Sequence, residues 1–178
     1  MVHFDASSAD CLVLTLKEGL LSAVAHDLKI RVTKFVIIID EQKRTIEARF
    51  DANSLRVVCA MRDGVESPGS LSTANMRDIE RTIVRDVLAS GTYPEIRFVS
   101  TGVREQRGAY VIKGTLTLHG TVRPITVRAR LENQRYVAEA RVYQPDFGIR
   151  PYSAMLGALK VQADVTVRIA IPVLAAAH

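Results

Sequence analysis

The 178-residue sequence contains no apolar run near the roughly 20 residues that cross a bilayer as a helix, which excludes a helical membrane span. The compact patch FVIII at residues 35–39 has instead the length of a buried strand. Only two cysteines are present, Cys11 and Cys59, too few and too far apart for a disulfide framework or a zinc motif. Both are expected as reduced thiols. The four histidines, His3, His26, His119 and His178, include no pair on a short spacing, so no metal site is expected. There is no GxSxG nucleophile motif and no glycine-rich loop opening a helix, so neither a hydrolase elbow nor a nucleotide site is read, and no cofactor is expected. Aromatic residues are not interleaved with basic ones as stacking platforms, which argues against nucleic acid as a partner. The start, MVHFDASSADC, lacks a basic region followed by an apolar core and a cleavage site. A cytoplasmic location is therefore the expectation.

What is present is alternation. From Tyr110 to Leu131, Tyr110, Ile112, Leu116 and Leu118 share one side of an extended chain, and after a turn at HGTVRP so do Ile125, Val127, Ala129 and Leu131. Lys113, Thr115, Thr117, Thr126, Arg128 and Arg130 take the other side, as an antiparallel hairpin with one wet face requires. The same pattern places Leu12, Leu14 and Leu16 on the dry side of a first strand. It carries a second run through Leu28, Ile30 and Val32, with a bend near Thr33 restoring the register for Phe35, Ile37 and Ile39. Ile46, Ala48 and Phe50 follow, then a segment with Gly64, Pro68 and Gly69 that reads as loop.

From Ser72 the period lengthens to about 3.6: Met76, Ile79, Ile83 and Val87 form one helical stripe, stopped by Gly91 and Pro94. This one helix is expected to lie against the sheet or to plug or cover one end of it. Strands resume at Ile96 and Phe98. The strand at Tyr136, Ala138, Ala140 and Val142 has an unusually small dry face. The segment QPDFGIRPYSAMLGALK is too apolar for a loop lying in water, and a last strand carries Val161 to Ile171. One all-β domain over residues 1–178 results, with eight or nine strands and one inserted helix. A closed up-and-down barrel or a two-sheet sandwich would satisfy it, and the length of the strands favours the barrel. An eight-stranded barrel either just fills with side chains or holds one small ligand.

No catalytic residue is assigned. His119 at the hairpin turn, His26 and Asp146 are read as turn or strand residues bonded to nearby backbone, with a base or head-group role for His119 and His26 as the sharper alternative. The net charge of +5 comes mainly from arginines on the wet phase, which keep a surface soluble. Contact with anionic lipid is the alternative.

Five strings in order, AHDLKI (25–30), DANSL (51–55), YPEIRFVST (93–101), GTLTLHGTVRPITV (114–127) and PDFGI (145–149), resemble the YceI-like, polyisoprenoid-binding family over nearly the whole chain. The resemblance implies an extended antiparallel eight-stranded lipocalin-like barrel. Its apolar lumen would take a long isoprenoid or other amphiphilic chain, without enzymatic activity. The expected lining is Leu14, Ile30, Phe35, Phe50, Phe98, Ile112, Leu116, Leu118, Val127, Val165 and Val167, with Ile79, Ile83, Met155 and Leu156 gating the mouth. The partner is then a long-chain lipid, isoprenoid, quinone or fatty-acid-like molecule held by burial alone, at about 0.8 kcal/mol per methylene. Two other readings stay open: the same residues packed as a solid core in a stress-related or structural protein working as a homodimer, and an enzyme on the same scaffold.

Overall fold

The computed structural model describes residues 1–18 and 26–173. Its strands are β1 (Val2–Asp5), β2 (Asp10–Glu18), β3 (Asp27–Val32), β4 (Phe35–Asp40), β5 (Thr45–Asp51), β6 (Leu55–Arg62) and β7 (Val65–Ser67), then helix α1 (Thr73–Thr82). After the helix come β8 (Glu95–Gln106), β9 (Ala109–Leu118), β10 (Thr121–Glu132), β11 (Arg135–Tyr143), β12 (Ser153–Ala154) and β13 (Leu159–Pro172). Twelve of them form one antiparallel sheet in the order β1-β4-β5-β8-β9-β10-β11-β13-β2-β3-β6-β7, and β12 pairs only with β13. Among the described residues the fold is mostly β with one helix, as expected, but the sheet is curled into a half-barrel with two edges, β1 and β7, and not into the closed barrel expected.

The strand count is a correction. The eight expected strands become nine segments, because a bend at Thr33 and Lys34 separates β3 from β4, and β1, β6 and β7 bring the path to twelve. The strand β6 was hidden by a register shift against β3 between Lys29 and Ile30, which breaks its alternation and leaves Cys59 and Ala60 buried side by side. The bend itself is held by the DANSL corner. Asp51 Oδ1 accepts from Asn53 N at 2.8 Å, Ser54 Oγ donates to Asp51 O at 2.8 Å, and Lys34 N donates to Ser54 Oγ at 3.1 Å.

Ser72 caps α1, its Oγ accepting from Asn75 N at 3.1 Å. The helix then loosens into a wider turn at Ile83–Val87, where Leu88 N donates to Ile83 O at 2.8 Å. Its apolar stripe of Met76, Ile79, Ile83 and Val87 packs on the core cluster, and it lies against β6. There Val57 N, on the stretch of β6 that pairs with β3 but is not reached by the short β7, donates to Glu80 Oε1 at 2.8 Å. The helix thus covers an edge that would otherwise be open to another chain.

The hairpin from β9 to β10 turns through His119 and Gly120, both with positive φ (52° and 72°), as a two-residue turn matched to strand twist requires. Tyr93 packs against His119 with ring centroids 4.5 Å apart and the planes tilted by 52°. On the outer face the arginines are paired: Arg168 with Glu132 at 2.8 Å, Arg135 with Asp10 at 3.3 Å and Arg97 with Glu47 at 3.4 Å. Part of the positive charge that the sequence carries on its wet phase thus belongs to surface ion pairs, which individually stabilise little.

Candidate functional site

Inside the curled sheet is a cavity of about 560 Å³, within the range of small-molecule sites. Its wall comes from seven strands, β4, β5, β8, β9, β10, β11 and β13, while β1, β2, β3, β6 and α1 contribute nothing to it. The reason for the space is side-chain size. Ala48 on β5, Ala129 on β10, and Ala138 and Ala140 on β11 all face it, where a filled barrel would carry leucine or phenylalanine.

The cavity is polarised from end to end. Ile37, Phe50, Phe98, Leu116, Ile125, Val142 and Val167 form its deep part. Among the described residues, every charged or polar lining residue belongs to the other end: Asp40, Glu41, Arg44 and Thr45 at the β4–β5 turn, Glu105 late in β8, and Tyr110 and Tyr136 at the starts of β9 and β11. Tyr110 and Tyr136 meet edge to face at 5.8 Å. The Tyr110 phenol is pushed above its ordinary value, first by Tyr136, then by desolvation and by Glu105, so it stays a protonated donor through neutral pH.

Beyond the floor the interior is solid. Moving away from the mouth, the next inward residues on four wall strands, Phe35, Ile96, Leu118 and Val165, no longer reach the cavity and belong to or pack on the core cluster. Phe147 and Ile149, at 2% and 3% exposure, fill that end from the loop after β11. This explains the apolar character of a segment that is otherwise loop. Cys11 is buried in the same filled region, and desolvation pushes its thiol up to about 12, while Cys59 is buried too. Neither is set up as a nucleophile. Among the described residues, no group of three or more His, Cys, Asp or Glu converges as a metal site.

Of the expected lining residues, Phe50, Phe98, Ile112, Leu116, Val127 and Val167 face the cavity. Ile30, Phe35 and Leu118 are buried in the core cluster and Val165 packs on it. Leu14 is a correction: in β2 it is Cys11, Val13 and Thr15 that turn inward, and Leu16 is half exposed. Apolar residues occupy both phases of that strand, so hydrophobicity alone pointed the wrong way. Leu131 is likewise exposed rather than inward. The proposed gate is also corrected. Ile79 and Ile83 pack on the core beside β6, away from the cavity wall, and Leu156 is fully exposed at the tip of a loop with φ 56°. The Met155 side chain lies outside the described residues. Sequence reasoning did not single out the mouth residues Arg44, Glu105 and Tyr136, or the alanine wall. The signal for the wall was the small dry face of β11.

His119 and His26 take no part in the cavity. His119 is held in its turn under Tyr93, and Asp27, next to His26, accepts from Lys17 N at 2.7 Å. The described residues of the five strings fall on β3, the corner, the turn, the floor and the far loop, and none is a polar residue of the mouth.

Known proteins share this architecture. BcnA of Burkholderia cenocepacia superposes with a TM-score of 0.62 at 13% identity, covering 94% of this chain and 97% of that one. A polyisoprenoid-binding domain from Saccharophagus degradans does so with a TM-score of 0.56 at 13% identity, covering 92% and 91%. At such identities the likeness is one of fold. In sequence, the UPF0312 protein plu2095 of Photorhabdus laumondii is 27% identical over 110 residues, 56% of each protein, so the chain spans about half the length of that relative. The YceI-like domain description matches residues 22–173, and with nearly the whole chain so covered, this protein belongs to the YceI-like domain family.

Proposed function

We propose that this chain is a binding protein that holds the apolar tail of an isoprenoid, quinone or fatty-acid-like amphiphile in its cavity and does no chemistry on it. The observation that supports this reading is the polarity of the cavity: an apolar chamber of about 560 Å³ with all its charged and polar side chains at one end. A tail gains about 0.8 kcal/mol per methylene buried in the chamber without any polar partner. The head stays at the mouth, where the Tyr110 and Tyr136 hydroxyls, Arg44 and Glu105 offer hydrogen bonds. The polyisoprenoid-binding domain that shares the fold agrees with an isoprenoid tail.

The test is organic extraction of the purified protein followed by mass spectrometry, with uptake of an added fluorescent fatty acid as a second arm. A stoichiometric lipid or saturable uptake is expected, and both should vanish in an Ala138→Phe, Ala140→Phe variant that keeps its circular dichroism. Absence of both in the unaltered protein would overturn the reading.

A further inference from the structure

We infer that Phe98, seated on Gly114, sets the length of the chain that the cavity accepts, at roughly 20 carbons. The inference rests on the binding reading above. Gly114 lies on β9 between Ile112 and Leu116 and faces inward with them, directly across from β8. It is the one position on that face without a side chain. A Cβ placed there would sit 2.5 Å from Phe98 Cε2 and Cζ and 2.5 Å from Val99 O, so the ring occupies the space that any other residue would fill. Close backbone approach of this kind is what glycine in a strand permits. The ring is 8% exposed and belongs to the core cluster while also lining the cavity, so its inner face closes the chamber and its outer face packs on the filled interior.

On β8 and β9 the boundary between the hollow region and the solid one is therefore this aromatic plate, flanked in the floor by Phe50 and Leu116. On β8 the next inward residue, Ile96, is already outside the cavity, and on β9 so is Leu118. A tail entering at Tyr110 and Tyr136 ends against this plate. Since a cavity of ~150 Å³ accommodates a six-carbon benzene ring, scaling to about 560 Å³ gives room for roughly 20 carbon atoms. Longer tails must leave their ends in water or displace the ring.

The experiment measures dissociation constants for a series of straight-chain 1-alkanols of increasing length, by competition with a fluorescent fatty acid. In the unaltered protein, affinity should rise about fourfold per added methylene and level off at roughly 20 carbons. In Phe98→Ala the plateau should move to longer alkanols, by roughly the six carbons of the deleted ring. In Gly114→Ala, where the new methyl displaces both the ring and the β8 backbone at Val99 O, a variant that folds should have its plateau at shorter ones. Phe98→Leu, a milder change, serves if Phe98→Ala does not fold. Folded variants whose plateau stays at the unaltered length would overturn the inference while leaving the binding reading intact. Failure of every alkanol and of the fluorescent acid to bind the unaltered protein would instead overturn both.

Discussion

The two ends of this half-barrel are built from the same alternating strands and differ in what those strands carry inward. Toward the mouth, Ala48, Ala129, Ala138 and Ala140 leave a chamber. At the far end Phe35, Leu118, Phe147 and Ile149 leave none, and the interior there is a close-packed core. Stability and binding are in this way assigned to different stretches of the same strands. The far end buries apolar surface against itself on folding, whereas the mouth end keeps apolar surface in reserve for a ligand, which costs the empty protein stability.

The largest expected effects separate the two ends directly. Phe147→Ala, at a side chain 2% exposed, should cost about 3–5 kcal/mol in urea unfolding, because the surrounding core cannot collapse around the hole. Ala60→Leu, at a residue 1% exposed beside the β3 register shift, should cost about 1–3 kcal/mol through overpacking. Ala140→Leu makes a similar change in the chamber wall and should cost nothing or raise the midpoint, while weakening uptake of the longest fatty acids that fit. Should Ala140→Leu destabilise as much as Ala60→Leu, the chamber would be a packed region after all and the contrast between the ends would fail.

The legibility of these ends in the sequence follows the same division. A period of two is a property of neighbouring residues, so the hairpin from Tyr110 and the run from Ile46 to Phe50 were readable without knowing the partner strand. The helical stripe through Ile79 and Ile83 was readable for the same reason, but not where it would dock. That depends on the Val57 N–H of β6, which donates to Glu80 and not to another strand, in a segment whose irregular pattern reads as loop. Strand β2 shows the limit most clearly: with Leu12, Val13 and Leu14 in succession, the inward phase is decided by the neighbours, where Val13 faces Ile30 on β3 and Val167 on β13. Lining and core residues were indistinguishable because both are inward and apolar. What separates Leu116 from Leu118 is the size of residues on other strands, which no local pattern contains. The mouth residues Arg44 and Glu105 belong to turns and strand ends that meet only when the sheet curls.

Intermediate effects test whether the helix belongs to the filled end. Glu80→Ala removes the acceptor from Val57 N and should cost about 1.5 kcal/mol, with Glu80→Gln restoring most of it. Ser72→Ala, which deletes the cap of α1, should cost about 1 kcal/mol. Both should leave fatty-acid affinity unchanged, since neither β6 nor α1 reaches the chamber. A loss of affinity in Glu80→Ala comparable to that in Ala140→Leu would return the helix to the role of a gate.

The smallest effect is expected on the other face of the chamber wall itself. Arg141 lies between the cavity residues Ala140 and Val142 but points outward, where its Nε donates to Asp164 Oδ1 at 2.7 Å. The Arg141 hydrogen bond holds the Asp164 carboxyl below its ordinary value. A lowered aspartate contributes stability above its unfolded pKa and loses it as pH falls through the folded one, so the pair can matter at neutral pH and withdraws in acid. Because the pair is open to solvent and screened by salt, Arg141→Ala should leave the thermal midpoint at neutral pH and physiological salt unchanged within error. A clear fall in that midpoint, absent in acid, would show the outer network bracing the wall. The alanines at Ala138 and Ala140 would then owe their tolerance of an empty chamber to charges on the reverse of the same strand.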